Sequence, residues 1–165
     1  MMRSVLIIDD EEGIARALAI RLRAAGFQAT TAASGMLGLA AASAAPPDLI
    51  ILDVRMPDID GFEVHARLRR DPKLASIPVI FLSASVQDST RHAALAAGAW
   101  AYLTKPYDAR EIVTAVTNAI SGVPKSTSST EESSHTAYAR TATFPVTPQE
   151  LIPDRVRRNS HGSAA

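Results

Sequence analysis

The sequence predicts an α/β fold in which five parallel strands alternate with five helices to form a doubly wound sheet. The first observation is a set of short apolar runs without polar alternation, which is typical of strands covered on both faces. The second is that segments of helical periodicity separate these runs, as parallel neighbours joined by right-handed crossovers require. The third is that charged side chains follow three of the runs, at the edge where doubly wound sheets bind their ligands.

Five short runs are the predicted strands, and valine and isoleucine are frequent in three of them. Three stretches within them, at 5–8, 49–52 and 79–82, contain no polar residue. Unbroken apolar runs of this length favour strands that are buried on both faces. The predicted strands are 4–9, 27–31, 49–53, 78–83 and 100–103.

The first predicted helix covers residues 12–25. Its apolar residues Ile14, Leu18 and Leu22 recur every four positions and therefore share one face. Gly26 follows directly and supplies a C-terminal stop, because glycine adopts the left-handed conformation that ends many helices.

The four later helices are predicted from apolar periodicity and from residues typical of helix ends. Asp88 is expected to cap the helix that starts there. Asp108, with Glu111 three residues later, resembles a capping box. Gly61 is expected to permit a tight turn before its helix. These helices cover 35–45, 61–70, 88–97 and 108–120.

The length and composition indicate one folded domain followed by a tail. The chain has 165 residues, of which 47% are hydrophobic, so residues 1–121 can bury a sizeable core. From residue 122 the sequence becomes rich in serine, threonine and proline, and it cannot bury enough apolar surface to offset its ordering entropy. We expect 122–165 to be a disordered tail without an output domain.

Charge and residue usage limit the function classes. There are 17 basic and 17 acidic side chains, so the chain lacks the basic excess of a nonspecific nucleic-acid binder, and we expect no nucleic-acid partner. The absence of cysteine excludes disulfides and thiolate metal sites. No signal peptide and no run of ~18 apolar residues is visible, so we expect a cytoplasmic protein without a membrane partner.

Three of the predicted strands lead directly into reactive side chains. Asp9 and Asp10 follow the first strand, Asp53 ends the third, and Lys105 follows the fifth. Parallel strands would bring these three carboxylates and one ammonium group to a single edge of the sheet. Such a pocket can hold Mg²⁺, which prefers oxygen ligands, and can accept a phosphoryl group.

Four stretches of the sequence together resemble a known family. They occur in one order, with 30 residues from Asp53 to Ser83 and 52 from Asp53 to Lys105. Over about 1–121, the chain is similar to the receiver domain of two-component response regulators. This resemblance implies a flavodoxin-like fold with strand order 2-1-3-4-5, as in chemotaxis regulators. The stretches are Ile8–Glu11, Leu52–Gly61, Val79–Ala84 and Gly98–Pro106.

The resemblance also implies roles for the acidic residues. Asp53 would be the phosphoacceptor, since a carboxylate can attack a phosphohistidine and form an acyl phosphate. Asp10 and Asp53 would bind Mg²⁺ directly, and Asp9 would hold it through water. The backbone carbonyl of Arg55 would be a further ligand. An alternative for Asp10 is that it caps the first helix.

The same resemblance assigns the remaining site residues. Lys105 would pair with Asp53 before phosphorylation and then clamp a phosphoryl oxygen, aimed by a cis peptide bond at Pro106. Ser83 would donate its hydroxyl to the phosphoryl group, and Tyr102 would turn inward as Ser83 moves. Ser85, like Arg55, would tune self-dephosphorylation. The simpler alternative for Ser83 is a hydrogen bond to the local backbone, and for Tyr102 a ring that does not move.

The predicted function is a stand-alone response regulator rather than an enzyme with external substrates. Its donor would be a histidine kinase or phosphotransfer protein, and its target a downstream protein that contacts the surface at 88–120. Such a domain assists only its own phosphorylation and dephosphorylation. The alternatives are a pseudo-receiver that acts as an adaptor, an enzyme or flavin carrier of the same fold, and part of a transcription regulator.

Overall fold

The structure, a computed structural model, describes residues 1–122. The predicted tail, except for residue 122, lies outside the described residues. None of the helices in the described part has the length and apolar character that a membrane span needs. The strands are β1 (Ser4–Ile8), β2 (Gln28–Ala32), β3 (Leu49–Asp53), β4 (Val79–Ser83) and β5 (Ala101–Thr104). The helices are α1 (Glu12–Ala24), α2 (Gly35–Ala44), α3 (Gly61–Arg70), α4 (Asp88–Ala96) and α5 (Ala109–Ile120).

The five strands form one parallel sheet in the order β2-β1-β3-β4-β5. The order confirms the predicted doubly wound fold. Strand β3 lies between β1 and β4, and its five residues are all buried, as its unbroken apolar sequence predicts. Strands β2 and β5 form the edges of the sheet.

Alternating side chains of the strands build two apolar cores, one on each face of the sheet. In β1, Val5 and Ile7 pack with residues of α1 and α5. Leu6 and Ile8 point to the opposite face and pack with α2 and α3. Because both faces are covered, the carboxyl ends of the strands provide the edge of the sheet at which a site can form.

The helix ends agree with the sequence prediction at two sites and differ at a third. Gly26 has φ 92° just beyond α1, the left-handed conformation expected after a helix. The Asp108 side chain caps α5 by accepting from the backbone N–H of Arg110 at 2.6 Å. Asp88 is wrong as a cap, because α4 begins at Asp88 itself and Gln87 occupies the capping position without a side-chain bond.

The loop between β3 and α3 is held against its surroundings by close contacts. A Cβ on Gly61 would overlap the carbonyl oxygen of Asp53, so glycine is required by close approach rather than by the turn conformation expected from sequence. Asp58 accepts hydrogen bonds from Met36 N at 2.9 Å and Gly35 N at 3.1 Å. These bonds, that to Met36 foremost, lower the pKa of Asp58 to about 2. The loop after Asp53 therefore caps the start of α2.

Candidate functional site

The site lies at the carboxyl edge of the sheet and is assembled from the ends of four strands. Asp9 follows β1, Asp53 ends β3, Ser83 ends β4 and Lys105 follows β5. Backbone bonds extend the sheet to these positions: Lys105 N donates to Ser83 O at 2.7 Å, and Asp9 N donates to Ala32 O at 3.1 Å. The register of the sheet therefore brings together residues up to 96 positions apart in the chain.

Three aspartates form an acidic cluster at this edge. Oxygen atoms of Asp9, Asp10 and Asp53 all lie within 4.8 Å of one another. Asp9 and Asp53 are only 1% and 6% exposed, whereas Asp10 is open to solvent. Asp10 does not cap α1, because Glu11 holds that position and no side chain bonds the helix start. Nothing in the described residues thus engages Asp10 by a hydrogen bond or ion pair.

The chemistry of the cluster fits a hard divalent cation. Its donors are carboxylate oxygens, two of them buried, and their mutual repulsion favours a positive charge between them. Mg²⁺ needs only one or two carboxylates and keeps several waters, which the exposed Asp10 side allows. The three residues proposed from sequence as carboxylate ligands are therefore in place for such an ion.

Lys105 is surrounded by three carboxylates. Its Nζ lies 2.8 Å from Asp9 Oδ2, 3.3 Å from Glu11 Oε1 and 3.4 Å from Asp53 Oδ1. The expected pair with Asp53 is present, but its distance is the longest of the three. Sequence reasoning missed Glu11 as a partner, although its position next to the aspartate pair was the available signal.

The crowding of charges perturbs the two groups at the centre of the site. Burial raises the pKa of Asp53 to about 6, Lys105 opposes this rise, and Asp9 and Asp10 add to it. Burial alone would lower the pKa of Lys105, but its contacts with Asp9, Asp53 and Glu11 raise it above the ordinary value. The ammonium group is therefore charged beside a carboxyl whose pKa is raised but which still ionises near neutral pH.

Ser83 and Tyr102 are joined through Ser85. Ser83 is buried, and its Oγ accepts from the backbone N–H of Ser85 at 3.0 Å. The hydroxyl of Tyr102 donates to the carbonyl of Ser85, also at 3.0 Å. Ser83 thus makes the local backbone bond foreseen as its simpler alternative. Tyr102 is only 6% exposed, so its ring already occupies the inward position.

Two further positions named from the sequence flank the cluster. Arg55 lies in the loop two residues beyond β3, and its side chain is exposed. The Lys105–Pro106 peptide bond is cis, as the family resemblance implied.

Comparison with known proteins identifies the sequence pattern behind this geometry. A family model described as the response regulator receiver domain matches residues 5–117. A DNA-binding dual master transcriptional regulator of Synechocystis, RpaA, is 43% identical over 115 residues. The transcriptional regulatory protein KdpE of Mycobacterium tuberculosis is 45% identical over 112 residues. The matches cover 70% and 68% of this chain and 48% of each relative, so the chain spans about half the length of these curated relatives.

Solved structures agree with the sequence matches. A putative response regulator from Chloroflexus aurantiacus has a TM-score of 0.70 and 36% identity, covering 73% of this chain and 99% of the other. The chemotaxis protein CheY4 of Vibrio cholerae has a TM-score of 0.69 and 30% identity, covering 72% of this chain and 99% of the other. Both comparisons support the fold and the strand order.

The relatives correct the partner prediction. We expected no nucleic-acid partner, yet the relatives are transcriptional regulators, and the Synechocystis protein is named as DNA-binding. The balanced net charge was a weak argument, because it bears on nonspecific binding by these 165 residues and not on the part of each relative that the match leaves uncovered. The prediction that the target is only a downstream protein, which contacts the surface at 88–120, is wrong for the same reason.

Proposed function

This chain belongs to the receiver domain family of response regulators, and we propose that its Asp53 accepts a phosphoryl group from a histidine kinase. A carboxylate oxygen of Asp53 attacks phosphorus, the P–N bond of the phosphohistidine breaks, and its electron pair stays on the imidazole nitrogen, which then takes up a proton. The product is an acyl phosphate on Asp53. The domain is a phosphoacceptor in signalling and assists only its own phosphorylation and dephosphorylation.

The observation that carries this proposal is the buried Asp53 carboxylate, which has an ammonium 3.4 Å away and two further carboxylates with oxygens within 4.8 Å. Phosphorylation adds a charge of about −1.5 to −2 at this position. Lys105, 3.4 Å from Asp53, supplies the positive charge that the phosphoryl oxygens need. Asp53 itself is held in place by β3, whose backbone pairs with both neighbouring strands.

We assign the Mg²⁺ ligands to the acidic cluster. Asp10 and Asp53 would bind directly, Asp9 through water, and Arg55 through its backbone carbonyl. When bound, the ion supplies neutralisation of the charge on the transferring phosphoryl group. Asp9 keeps its orientation independently of the ion, because its Oδ1 accepts from Glu11 N at 2.9 Å.

We further propose that Ser83 and Tyr102 report the phosphorylation state. Ser83 Oγ accepts from Ser85 N, so its own proton is available to a phosphoryl oxygen. A shift of Ser83 would displace residue 85, whose carbonyl holds the Tyr102 hydroxyl. The chain would act in the cytoplasm, and its state would be read out in control of transcription, as in the relatives named above.

The test is incubation of the chain with Mg²⁺ and acetyl phosphate, followed by intact mass measurement. We expect a gain of one phosphoryl group, lost on chelation of the metal and in Asp53→Asn. Asp88→Asn is the matched control, because Asp88 lies in the first turn of α4 and outside the acidic cluster. A wild-type chain that gains no mass, or a gain that persists in Asp53→Asn, contradicts the proposal.

A further inference from the structure

We propose that Glu11 is a positioning residue that shares the Lys105 ammonium with Asp53 before phosphorylation and thereby slows phosphorylation of Asp53. The proposal rests on the function proposed above and adds a restraint within the same site. Its starting point is that Lys105 shares one ammonium group among three carboxylates. Asp9 is the closest at 2.8 Å, and Glu11 and Asp53 are nearly equidistant at 3.3 and 3.4 Å.

Glu11 is placed over Lys105 by a closed ring of contacts. Asp9 uses one carboxylate oxygen to accept from Lys105 Nζ at 2.8 Å and the other to accept from the backbone N–H of Glu11 at 2.9 Å. This second bond fixes residue 11 at the start of α1. The Glu11 side chain then returns to Lys105 and accepts at 3.3 Å.

The two carboxylates that hold Lys105 differ in how readily they can release it. The Asp9 side chain is 1% exposed, so leaving it unpaired would strand a buried charge at large cost. The Glu11 side chain is 59% exposed, so water solvates its carboxylate when the contact with Lys105 breaks. The Glu11 contact is therefore the part of this arrangement that a substitution can remove without collapsing the site.

Phosphorylation demands that Lys105 move. A phosphoryl group on Asp53 adds about −1.5 to −2 charge and draws the ammonium toward its oxygens. The contact with Glu11 is made before this transfer and is given up during it. An interaction stronger in the ground state than in the transition state lowers the rate, so removing it should raise the rate.

The experiment compares three variants of the full chain in phosphorylation by acetyl phosphate with Mg²⁺. Glu11→Gln should phosphorylate about 2- to 5-fold faster than Glu12→Gln, the range expected for loss of one exposed ion pair. Glu12 is an exposed neighbour whose side chain makes no hydrogen bond or ion pair within residues 1–122, so its variant removes the same charge without the contact. Glu11→Asp keeps the charge but shortens the reach, and should resemble Glu11→Gln.

A second readout needs no turnover. The chain has three lysines, so the side-chain NMR signals of Lys105 can be assigned by single substitutions. In the metal-free, unphosphorylated protein, these signals should shift in Glu11→Gln and Glu11→Asp and stay in place in Glu12→Gln. Unchanged Lys105 signals in the Glu11 variants would overturn the proposed contact, whether or not the chain accepts phosphate.

The outcomes separate this inference from the proposed function. If the wild-type chain is phosphorylated and Glu11→Gln is no faster than Glu12→Gln, the restraint is wrong and the phosphoacceptor role stands. If Glu11→Asp behaves as wild type, charge rather than contact is responsible, and positioning is again wrong. If the wild-type chain gains no phosphoryl group, the proposed function fails, and the rate effect assigned to Glu11 falls with it.

Discussion

His65 is a buried polar residue that the proposed chemistry does not use. It lies on α3, is 2% exposed, and its ring packs 5.5 Å from the ring of Phe81. Its Nε2 has no hydrogen-bond partner within the described residues. Burial, and secondarily the charge of Arg69, lowers the pKa of His65 to about 4. The imidazole is therefore neutral in the folded protein over the whole physiological range.

This burial makes the stability of the chain depend on pH. The unfolded chain binds a proton at His65 below about pH 6.5, whereas the folded chain binds it only below about pH 4. Stability should therefore fall as the pH drops through this window, by about 2 kcal/mol between pH 7 and pH 5. Urea unfolding of His65→Leu should lack this component. Parallel stability curves for the two proteins from pH 7 to pH 5 would contradict the prediction.

Gly61 allows the close approach that fixes the position of Asp53 through its missing side chain. A Cβ there would overlap the carbonyl oxygen of Asp53 and lie 3.0 Å from Val54 Cα. Both contacts are with backbone, so Gly61→Ala should displace Asp53 and cost about 1–3 kcal/mol of stability. Gly13→Ala is the control, because a Cβ at Gly13 in α1 meets nothing within 4 Å. That change should stabilise the chain by up to about 1 kcal/mol.

The measurement is urea unfolding together with the rate of phosphorylation by acetyl phosphate. Gly61→Ala should lower both stability and rate, and Gly13→Ala should lower neither. A Gly61→Ala protein as stable and as reactive as wild type would show that the β3–α3 loop yields without moving Asp53.

Some site residues were accessible from the sequence because each follows a strand. Asp9, Asp53 and Lys105 come directly after or at the end of apolar runs, and the structure brings them together. Glu11 and Asp58 were not recognised as partners, because their contacts depend on side-chain reach across loops. Glu11 meets a lysine 94 positions later; its place next to the aspartate pair indicates the edge of the sheet at which it lies, but not this partner.

At the scale of elements, the edge strand β2 is protected by the neighbouring helix. Gln28 N donates to Arg3 O, so in a parallel ladder the Ala29 carbonyl, one residue on, points away from β1. Arg23 of α1 donates to that carbonyl from Nη2 at 2.5 Å and from Nε at 3.1 Å. The guanidinium group occupies a position where another chain could otherwise add a strand.

Removal of the Arg23 guanidinium group from the edge of β2 should have two effects. Arg23→Ala should destabilise the chain by about 1 kcal/mol through the lost hydrogen bonds. It should also increase concentration-dependent self-association, measured by light scattering, because the edge accepts a foreign strand. Arg16→Ala is the control, since Arg16 is an exposed α1 residue without a hydrogen bond or ion pair in residues 1–122. Equal scattering from the two variants would contradict a protective role for Arg23.

The helix starts show why element boundaries are harder to predict than elements. Asp60 and Asp108 cap α3 and α5 through their side chains, whereas Asp88 lies inside the first turn of α4. All three aspartates carry the same local signal. The backbone of Gln87 is extended and takes the capping position instead, an outcome set by the path of the loop after β4.

At the scale of the whole molecule, the fold could be predicted because the signal is spread over many residues. The alternation of apolar runs and helical segments predicts parallel strands, and both cores confirm that the strands are covered on each face. The order of the strands came from family resemblance, because periodicity does not report which strands are neighbours. The prediction that no nucleic acid is a partner was wrong, since it rested on the net charge of this chain, whereas the match leaves about half of each DNA-binding or transcriptional relative uncovered.

The site also links local electrostatics to global stability. The ammonium group of Lys105 is the positive charge that holds Asp9 and Asp53 together in the folded state. Lys105→Met should therefore destabilise the metal-free chain, by about 3 kcal/mol, because it leaves buried carboxylates unpaired. On the proposed assignment, Mg²⁺ would bind the folded but not the unfolded chain, so stability should rise with its concentration.

The two cations compete for the same oxygens, and this competition decides the final prediction. In the wild-type chain, the proposed Mg²⁺ would share Asp9 and Asp53 with Lys105; in Lys105→Met it would not. The gain in unfolding free energy between EDTA and 10 mM Mg²⁺ should therefore be larger in Lys105→Met than in wild type, by about 1 kcal/mol or more. Lys73→Met, which removes a lysine whose side chain makes no bond or ion pair in the described residues, should show the wild-type gain. Equal gains in all three proteins would mean that Lys105 and the metal do not meet at this site.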